Sequence, residues 1–337
     1  MNNLIYFVKV NFRKYPIFLS ITPQKRALVM KKISFLFCLL SFAGLSQKAQ
    51  GQYYFYNDNY YDNPVTFELG GSLSIMNCLT DIGGKKGLGG KFIKDLNMGQ
   101  TNVGGSVFMS ANFRYAVGLR LEATFGKLSG NDNVLAGITD IAKERYNRNL
   151  HFRTNITEIA AIAEFHPFFI FIDWANRDVE PPRWSPYVMA GVGFFSFNPQ
   201  AQGPNGTWID LQPLSTEGQG FNEYPDRDVY KLKQLNIPLG IGVKYELSQA
   251  FTLRGEFVYR KLFTDYLDDV STNYINPDLF NQYFSPDKAA LAAYMADRQI
   301  ESRTNPNGGS KRGSPDQNDA YFSFNIKLGI TLGRERY

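Results

Sequence analysis

Pairs of oppositely charged residues recur two positions apart in this 337-residue sequence, inside segments that otherwise alternate between apolar and polar residues. The pairs are Arg120 with Glu122, Lys244 with Glu246, and Arg254 with Glu256. Residues two apart in a strand point to the same side, so each pair shares one face. Further charges on the same faces of neighbouring candidate strands are Glu68, Arg114, Glu158, Glu164, Arg260 and Lys327. If these faces line an interior, the charges must pair into a network, because unpaired buried charges are strongly destabilising.

The two histidines, His151 and His166, are the side chains best suited to proton transfer near neutral pH. They stand fifteen residues apart on one candidate strand, so they lie at opposite ends of it and cannot share a site. His151 could serve a hydrolase at the outer rim if an acid or a serine stood beside it. The sequence favours a solvated rim histidine over this role, and we expect no enzymatic activity and no cofactor.

Carboxylates cluster in one loop segment, FTDYLDDVSTNYINPDL, where they could bind calcium. They are Asp265, Asp268, Asp269 and Asp278. Their spacing is not that of an EF-hand. Turn capping and pairing with nearby arginine or lysine residues are the alternative roles for these carboxylates.

The elements that must position these residues are best seen at the C-terminus, where AYFSFNIKLGITLGRERY alternates over about eleven residues. One face carries Phe322, Phe324, Ile326, Leu328, Ile330 and Leu332, and the aromatic residue Tyr337 closes the chain. The other face is polar. Eleven residues match a tilted strand that crosses a bilayer, whereas an ordinary half-buried strand needs about five. We therefore expect the apolar face to contact lipid.

The same alternation recurs along the sequence, and with the C-terminal segment it gives eight candidate strands. The other seven are 66–75, 106–115, 117–127, 154–166, 187–197, 235–247 and 251–263. A soluble β-sandwich would place the charges in bulk water and the apolar faces in a dry core. A barrel in lipid inverts this arrangement, and eight strands leave room for side chains but not for a wide pore. Alternation alone does not choose between the two architectures.

Connection lengths favour the membrane barrel, since outer-membrane barrels have short periplasmic turns and long outer loops. The predicted outer connections are 76–105, 128–153, 198–234 and 264–319, while 116 and 248–250 are short turns. In the last loop, Ser285, Pro286 and Asp287 predict a helix start, with Leu291, Tyr294 and Met295 on one side over the barrel mouth. We interpret the apolar stretch 165–174 as the inner end of strand four, with Trp174 and Trp184 at the interface.

The N-terminal region predicts export from the cytoplasm. Met30 begins a basic and then apolar stretch that ends in small residues before Gln52, as in a secretory signal peptide. We therefore divide the chain into a mistakenly included extension (1–29), a signal peptide (30–51), a periplasmic tail (52–64) and the barrel (65–337). Residues 1–51 hold eight of the 36 basic residues and no acid, so the mature chain carries 28 against 31, a net charge of −3. This balance removes the basis for nucleic-acid binding.

Several loop strings make the chain resemble the PorG-like outer-membrane β-barrel family of Bacteroidetes. They are GTWIDLQPLSTEGQG (206–220), YRKLFTDYLDDVSTNYINPDLF (259–280), LAAYMADR (291–298), RGSPDQNDAYF (312–322), FNPQA (197–201) and RNLHFRTNITE (148–158). The resemblance covers about residues 60–337 and implies a part in the type IX secretion system, without enzymatic activity. It also implies association with the periplasmic ring lipoprotein and its partner.

The sequence thus predicts an all-β protein: an eight-stranded antiparallel transmembrane β-barrel in the outer membrane of a Gram-negative bacterium, with a short helix in its last loop. The barrel would dock secretion machinery and contact outer-membrane lipid. A small channel or ligand-binding barrel and a rim hydrolase remain the alternatives. The inner connection 168–184 and the tail 52–64 are the predicted partner surfaces, because they carry the aromatic-rich material on the periplasmic side.

Overall fold

The computed structural model describes residues 64–83, 98–137, 142–171, 182–301 and 308–332. The barrel wall consists of β1 (Val65–Leu79), β2 (Asn102–Phe113), β3 (Val117–Asn131), β4 (His151–Phe165), β5 (Trp184–Ser196), β8 (Lys233–Glu246), β9 (Phe251–Leu262) and β10 (Ala320–Leu332). Two short strands, β6 (Gln200–Gln202) and β7 (Trp208–Asp210), belong to an outer loop. The helices are α1 (Ala142–Arg148), α2 (Phe280–Tyr283) and α3 (Pro286–Ala296).

The wall strands form one closed antiparallel sheet. They follow the order β3-β2-β1-β10-β9-β8-β5-β4, and pairing of β3 with β4 closes the barrel. The C-terminal strand β10 pairs with β1 on one side and with β9 on the other, so it joins the two ends of the sheet. The predicted eight-stranded antiparallel barrel is confirmed.

Large apolar side chains cover the outside of this wall. Leu73 is 75% exposed, Ile326 68% and Leu119 61%. A soluble monomer rarely exposes a contiguous apolar surface of this extent, whereas a transmembrane barrel presents such a band to the acyl chains. Phe322 lies on the same outer face but is buried, where its ring packs against Phe257 and Phe324. The barrel is therefore an outer-membrane protein.

Two short turns mark the periplasmic end of the barrel. Residues 114–116 join β2 to β3, and 247–250 join β8 to β9. Arg114 and Tyr115 both have positive φ, at 47° and 57°, and the N–H of Ala116 donates to the carbonyl of Phe113 at 3.1 Å. Short connections belong to the inner end in outer-membrane barrels, so the long loops are extracellular.

The strands differ in length from the prediction, and each contains 12 to 15 residues. The first four strands extend past the predicted outer limits, because the loops continue the strand pairing above the apolar band.

At the inner end the interpretation of 165–174 is wrong. β4 ends at Phe165, and Pro167–Ile170 form a 3-10 helix. Pro167 has no N–H for a ladder, so the strand stops before it.

The long outer loops fold into a cap above the barrel. Its described residues are 80–83, 132–137, 142–150, 197–232, 263–301 and 308–319. The predicted helix is confirmed as α3, which begins after Ser285. The predicted side is correct in part. Met295 is buried and Leu291 packs against the cap core, but Tyr294 is 39% exposed, and Ala289 and Ala292 are buried as well. The small alanines let the helix approach the other loops closely.

Some of the predictions fall on residues that the structure does not describe. These are the division of 1–63, Trp174 and Tyr337. Among the described residues, no helix is both long enough and apolar enough to cross a membrane.

Candidate functional site

The charged side chains of the barrel lumen form the largest polar assembly in the structure. All carboxylates of the wall strands alternate inward: Glu68, Glu122, Glu158, Glu164, Glu246 and Glu256. The inward cations are Arg120, Lys244, Arg254, Arg260 and Lys327. The period-two alternation that places leucine and isoleucine in lipid thus places every one of these charges inside.

Two arginines hold the centre of the lumen. Arg254 donates to both carboxylate oxygens of Glu68 at 2.5 and 3.0 Å and to both oxygens of Glu164 at 2.8 and 2.9 Å. Arg120 lies 2.7 Å from Glu164 and donates to Glu256 at 2.6 Å. Glu164 therefore joins the two guanidinium groups, and the fork of each arginine spans two acids. Both arginine side chains are fully buried.

Two lysines complete this central layer. Lys327 donates to Glu122 and lies 3.2 Å from Glu256. Lys244 donates to Glu68 at 2.9 Å. Hydroxyl groups occupy further lone pairs: Tyr187 donates to Glu256 at 2.5 Å. A carboxylate that contacts two cations and a hydroxyl loses less on leaving water than one with a single partner.

Glycine makes room for this network at one wall position. Gly329 of β10 points inward opposite Gly70 of β1. A Cβ at Gly329 would lie 2.1 Å from Oε1 of Glu68, which is far inside van der Waals contact. The absence of a side chain there lets Glu68 reach Arg254 across the lumen.

A second, smaller charged layer lies nearer the outer end. Arg260 donates to Glu158 at 2.8 Å and to the hydroxyl of Ser323 at 2.8 Å. Asn236 donates to Glu158 at 2.7 Å. Above this layer the lumen is closed by a buried apolar cluster that contains Met76, Leu128, Ile156, Phe195, Phe197, Tyr230, Leu262, Leu267 and Tyr321.

The inner end of the lumen holds a narrow pocket. It is lined by Asn112, Tyr115, His166, Phe169, Arg183, Ser185, Lys244 and Glu246. His166 lies 3.1 Å from the hydroxyl of Ser185 and stacks on Tyr187 at 4.6 Å. Glu246 lines this pocket at the inner end of the lumen, and not the central charged layer.

The prediction is wrong for one member of the lumen network, Arg114. Arg114 is exposed and lies outside the lumen, because β2 ends at Phe113 and Arg114 turns with positive φ. The strand alternation that puts Arg114 inward does not extend into a turn. The other predicted lumen residues lie inside the barrel at the positions given above.

The extracellular cap has an apolar core of its own. This core combines residues from two long loops: Ala201, Leu211, Leu214, Phe221, Ile275, Phe280, Ala289, Ala292, Met295 and Ala296. Phe221 stacks on Tyr283 with ring centroids 4.0 Å apart. The cap is thus a packed unit rather than a set of extended loops.

Two arginines tie the cap loops together. Arg148 donates to both oxygens of Asp132 at 2.9 Å, to the carbonyl of Arg312 at 2.7 Å and to that of Asp81 at 2.6 Å. Arg312 donates to Glu217 at 2.8 Å and to the carbonyl of Asp269 at 2.7 Å. Each guanidinium therefore bridges segments that are far apart in sequence.

Several cap aspartates lie close together with few cations between them. Burial and the nearby Asp81 carboxylate raise the pKa of Asp268, and burial and the charges of Asp268 and Asp265 raise the pKa of Asp319. Burial also raises the pKa of Asp265 to about 8 and that of Asp269 to about 6. Backbone N–H groups and hydroxyls are their main partners: Asp268 accepts from Ile82 at 2.8 Å.

These aspartates do not form the calcium site considered from sequence. Asp278 is exposed at the start of a 3-10 helix, away from the buried group, and Asp269 accepts from Thr216 and Tyr230. Across the described ranges, no three His, Cys, Asp or Glu side chains are grouped as metal ligands would be.

His151 lies at the outer rim, as predicted, but in a basic and aromatic setting. The N–H of Gln202 donates to its Nε2 at 2.9 Å, and a terminal nitrogen of Arg298 lies 3.1 Å from its Nδ1. Its ring also meets Trp208 edge-on at 6.0 Å. In the described part of the chain, neither a carboxylate nor a hydroxyl hydrogen-bonds to this histidine.

Sequence reasoning missed Arg148, Arg312, Asp81 and Asp319, which carry the charge contacts of the cap. Loops have no period that assigns a side chain to a face, so no pattern could pair residues such as Asp81 and Ser314, whose N–H donates to the Asp81 carboxylate at 2.7 Å. The unusual density of aspartates in 265–269 was the one available signal.

Comparison with solved structures returns several proteins at low similarity. Neisserial surface protein A is 8% identical, with a TM-score of 0.35, covering 78% of this chain and 96% of that one. OprG from Pseudomonas aeruginosa is 8% identical (TM-score 0.34; 79% and 95% covered), and Ail of Yersinia pestis is 8% identical (TM-score 0.32; 80% and 97% covered). No protein-family model and no curated protein matches the chain. Values this low say nothing about function, and the fold rests on the strand pairing above.

Proposed function

We propose that this barrel is a non-enzymatic anchor that docks type IX protein secretion machinery at the outer membrane, and that it contacts the periplasmic ring lipoprotein and its partner. The observation that carries the proposal is the closed interior. Paired charges cross the middle of the lumen, an apolar cluster closes its outer part, and a folded cap lies above. A barrel whose interior is closed at three levels is better suited to anchoring other proteins than to conducting ions or solutes.

The loop strings that resemble the PorG-like family support this proposal, because they pack on one another. Leu211 and Leu214 of the first string share the cap core with Ile275 of the second and Met295 of the third. Arg312 of the fourth string binds Glu217 of the first. These strings therefore form one packed structural unit, so the resemblance concerns the whole cap rather than isolated loops.

The periplasmic end offers a surface for the proposed partners. In the connection after β4, Phe168, Ile170 and Phe171 are 41%, 49% and 85% exposed. Phe168 meets Trp184 edge-on at 5.3 Å. Exposed aromatic side chains are enriched in protein interfaces, so this connection is our assigned docking surface.

Deleting the gene tests the secretion role directly. We expect proteins that carry the type IX C-terminal export signal to accumulate inside the cell, with their release restored by the wild-type gene on a plasmid. Normal export in the deletion strain would contradict the proposal.

A matched pair of variants tests the docking surface. Phe171→Ser should reduce capture of the ring lipoprotein on the tagged barrel, because Phe171 is the most exposed apolar side chain among the described residues of the inner connection. Ile300→Ser, which removes a 55% exposed side chain on the cap, should leave capture unchanged. Equal capture by both variants would exclude this surface.

Conductance separates the docking protein from the channel alternative. In a planar bilayer we expect no steady ion current through the purified barrel, because the central charges are already paired with one another. A steady, ion-selective current would favour the channel.

A further inference from the structure

The charges of the wall strands separate by sign between the two faces. Every wall-strand carboxylate points into the lumen, whereas the charged residues on the outer face are all cations. These outward cations are Lys127, Arg153, Lys233 and Lys261, which we call the basic collar. A collar of one sign, facing away from the acids of the lumen, is available to an anionic partner outside the chain.

The collar runs along the outer margin of the apolar band. On β3, Lys127 is the next outward residue beyond Phe125; on β8, Lys233 is the next beyond Leu235. On β9, Lys261 follows Tyr259 in the same way. On β4, Arg153 is three outward positions beyond Ile159, with Asn155 and Thr157 between them. This is where acyl chains end and lipid headgroups begin.

Two members of the collar are close neighbours. Lys127 pairs in register with Asn155, and Arg153 is the next outward residue from Asn155 towards the cap. Diagonal neighbours on adjacent strands are about 7–8 Å apart, so two long side chains there can reach one anionic group. Lys233 and Lys261 lie on the adjacent strands β8 and β9, where Lys261 pairs in register with Ile237, two outward positions from Lys233.

Arg153 is held in place for such a contact. Its guanidinium lies 3.8 Å from the ring centroid of Trp208, and its Nε donates to Gln200 at 3.1 Å. Stacking and one hydrogen bond fix the plane of the group, while its terminal nitrogens form no ion pair with the described residues. Nor do the three lysines of the collar form an ion pair in the described ranges.

The opposite end of the band lacks an equivalent collar on the described strands. There the outward strand positions are apolar or aromatic, such as Val65, Phe113, Val117 and Phe165. The distribution of charge along the outer face is therefore asymmetric, and it favours an anionic layer on the extracellular side only.

We propose that the basic collar binds the phosphate groups of anionic lipid headgroups in the outer leaflet. Lysine and arginine form charge-assisted hydrogen bonds to phosphate, and each basic side chain near an anionic membrane surface adds to the attraction. A lipid is the favoured source of the phosphate because the collar stands on the lipid-facing side, directly above the apolar band. This site is independent of the docking function proposed above.

The test uses the full mature chain, folded in detergent micelles, and native mass spectrometry with two probes. One is bisphosphorylated lipid A, and the other is the same lipid without phosphates. We expect the wild type to bind the phosphorylated probe at least about tenfold more tightly. Removing one cation should weaken binding about fivefold, and the fourfold variant Lys127→Gln/Arg153→Gln/Lys233→Gln/Lys261→Gln should lose the preference.

Three controls make the result decisive. Arg114→Gln with Lys311→Gln removes two exposed cations elsewhere, at the inner turn and on the cap, and should keep the preference. Replacing the three collar lysines by arginine should also keep it, and heat-dependent gel migration reports that each variant is folded. A fourfold variant that still prefers the phosphorylated lipid would overturn the proposal. So would displacement of that lipid by equimolar, water-soluble inositol hexakisphosphate, which would make the collar a general polyanion site.

Discussion

The lumen and the cap both bury many charges, but they differ in how these are paired. In the lumen, each central acid lies against one or more cations, as Glu164 does between Arg120 and Arg254. In the cap, Asp265, Asp268 and Asp319 lie near one another, and backbone N–H groups satisfy much of their hydrogen bonding. The barrel wall positions charges from opposite strands at fixed heights, while the loops bring acids together through tight turns.

This difference indicates separate roles for the two regions. Paired charges that hold several strands together stabilise the wall whenever they stay charged. Buried aspartates with raised pKa values make the cap sensitive to pH instead. The predictions below test this division, from the largest expected effect to the smallest.

Removing Arg254 should have the largest effect. Arg254→Leu leaves the buried Glu68 and Glu164 without their shared guanidinium, and breaking a buried ion pair in this way costs about 3–5 kcal/mol. Urea unfolding in detergent measures the loss in free energy of unfolding. Lys311→Leu, an exposed cation of the cap, is the control and should change stability by less than about 0.5 kcal/mol. A loss below about 1 kcal/mol for Arg254→Leu would contradict the claim that the lumen ion pairs stabilise the barrel wall.

Removing Arg312 should disturb the cap alone. Arg312→Met leaves Glu217 buried without its ion pair and breaks the contact with the Asp269 carbonyl, which together hold three cap segments. We expect protease cleavage within the cap loops to become at least about tenfold faster, with unchanged urea unfolding of the wall. Wall destabilisation equal to that of Arg254→Leu would show that cap and barrel unfold as one unit.

Raising the pH should loosen the cap. The pKa of Asp265 is about 8 in the folded chain, against an ordinary value of 3.8, so the folded state holds a proton that the unfolded state releases. Stability from this group is present at low pH and falls as the pH rises from about 4 to about 8. Cap cleavage, normalised to an unfolded reference protein, should be faster at pH 9 than at pH 5. Asp265→Asn should reduce this difference, and an unaltered pH dependence would contradict the assignment.

Removing a neutral partner in the lumen should have the smallest effect. Ser323→Ala deletes the hydroxyl that accepts from Arg260, but Arg260 keeps its ion pair with Glu158. We expect a loss of about 1 kcal/mol in the free energy of unfolding, as is usual for one hydrogen bond. A loss as large as that of Arg254→Leu would mean that hydroxyls, not ion pairs, hold the lumen together.

The strands could be predicted because an apolar and polar alternation sustained over more than ten residues fits a long strand and neither a helix nor a loop. Their ends could not, as Arg114 shows: it continues the sequence pattern of β2 but belongs to a turn. The cap was the least accessible part. In the sequence, the helix start at Ser285 and the density of aspartates in 265–269 were the local signals for its structure. The helix side that is buried depended on which loops pack against it.

The sequence by itself determined which side of each strand is apolar, because side chains alternate with a fixed period. Together with the connection lengths, this alternation predicted that the apolar side meets lipid. It also determined that the charges of the wall lie within, apart from the collar. Only the tertiary structure decided which charges meet. Glu68 of β1 contacts Arg254 of β9 because β10 pairs with both strands and brings them close together. It likewise decided the form of the cap, whose contacts join segments up to 233 residues apart and follow no local rule.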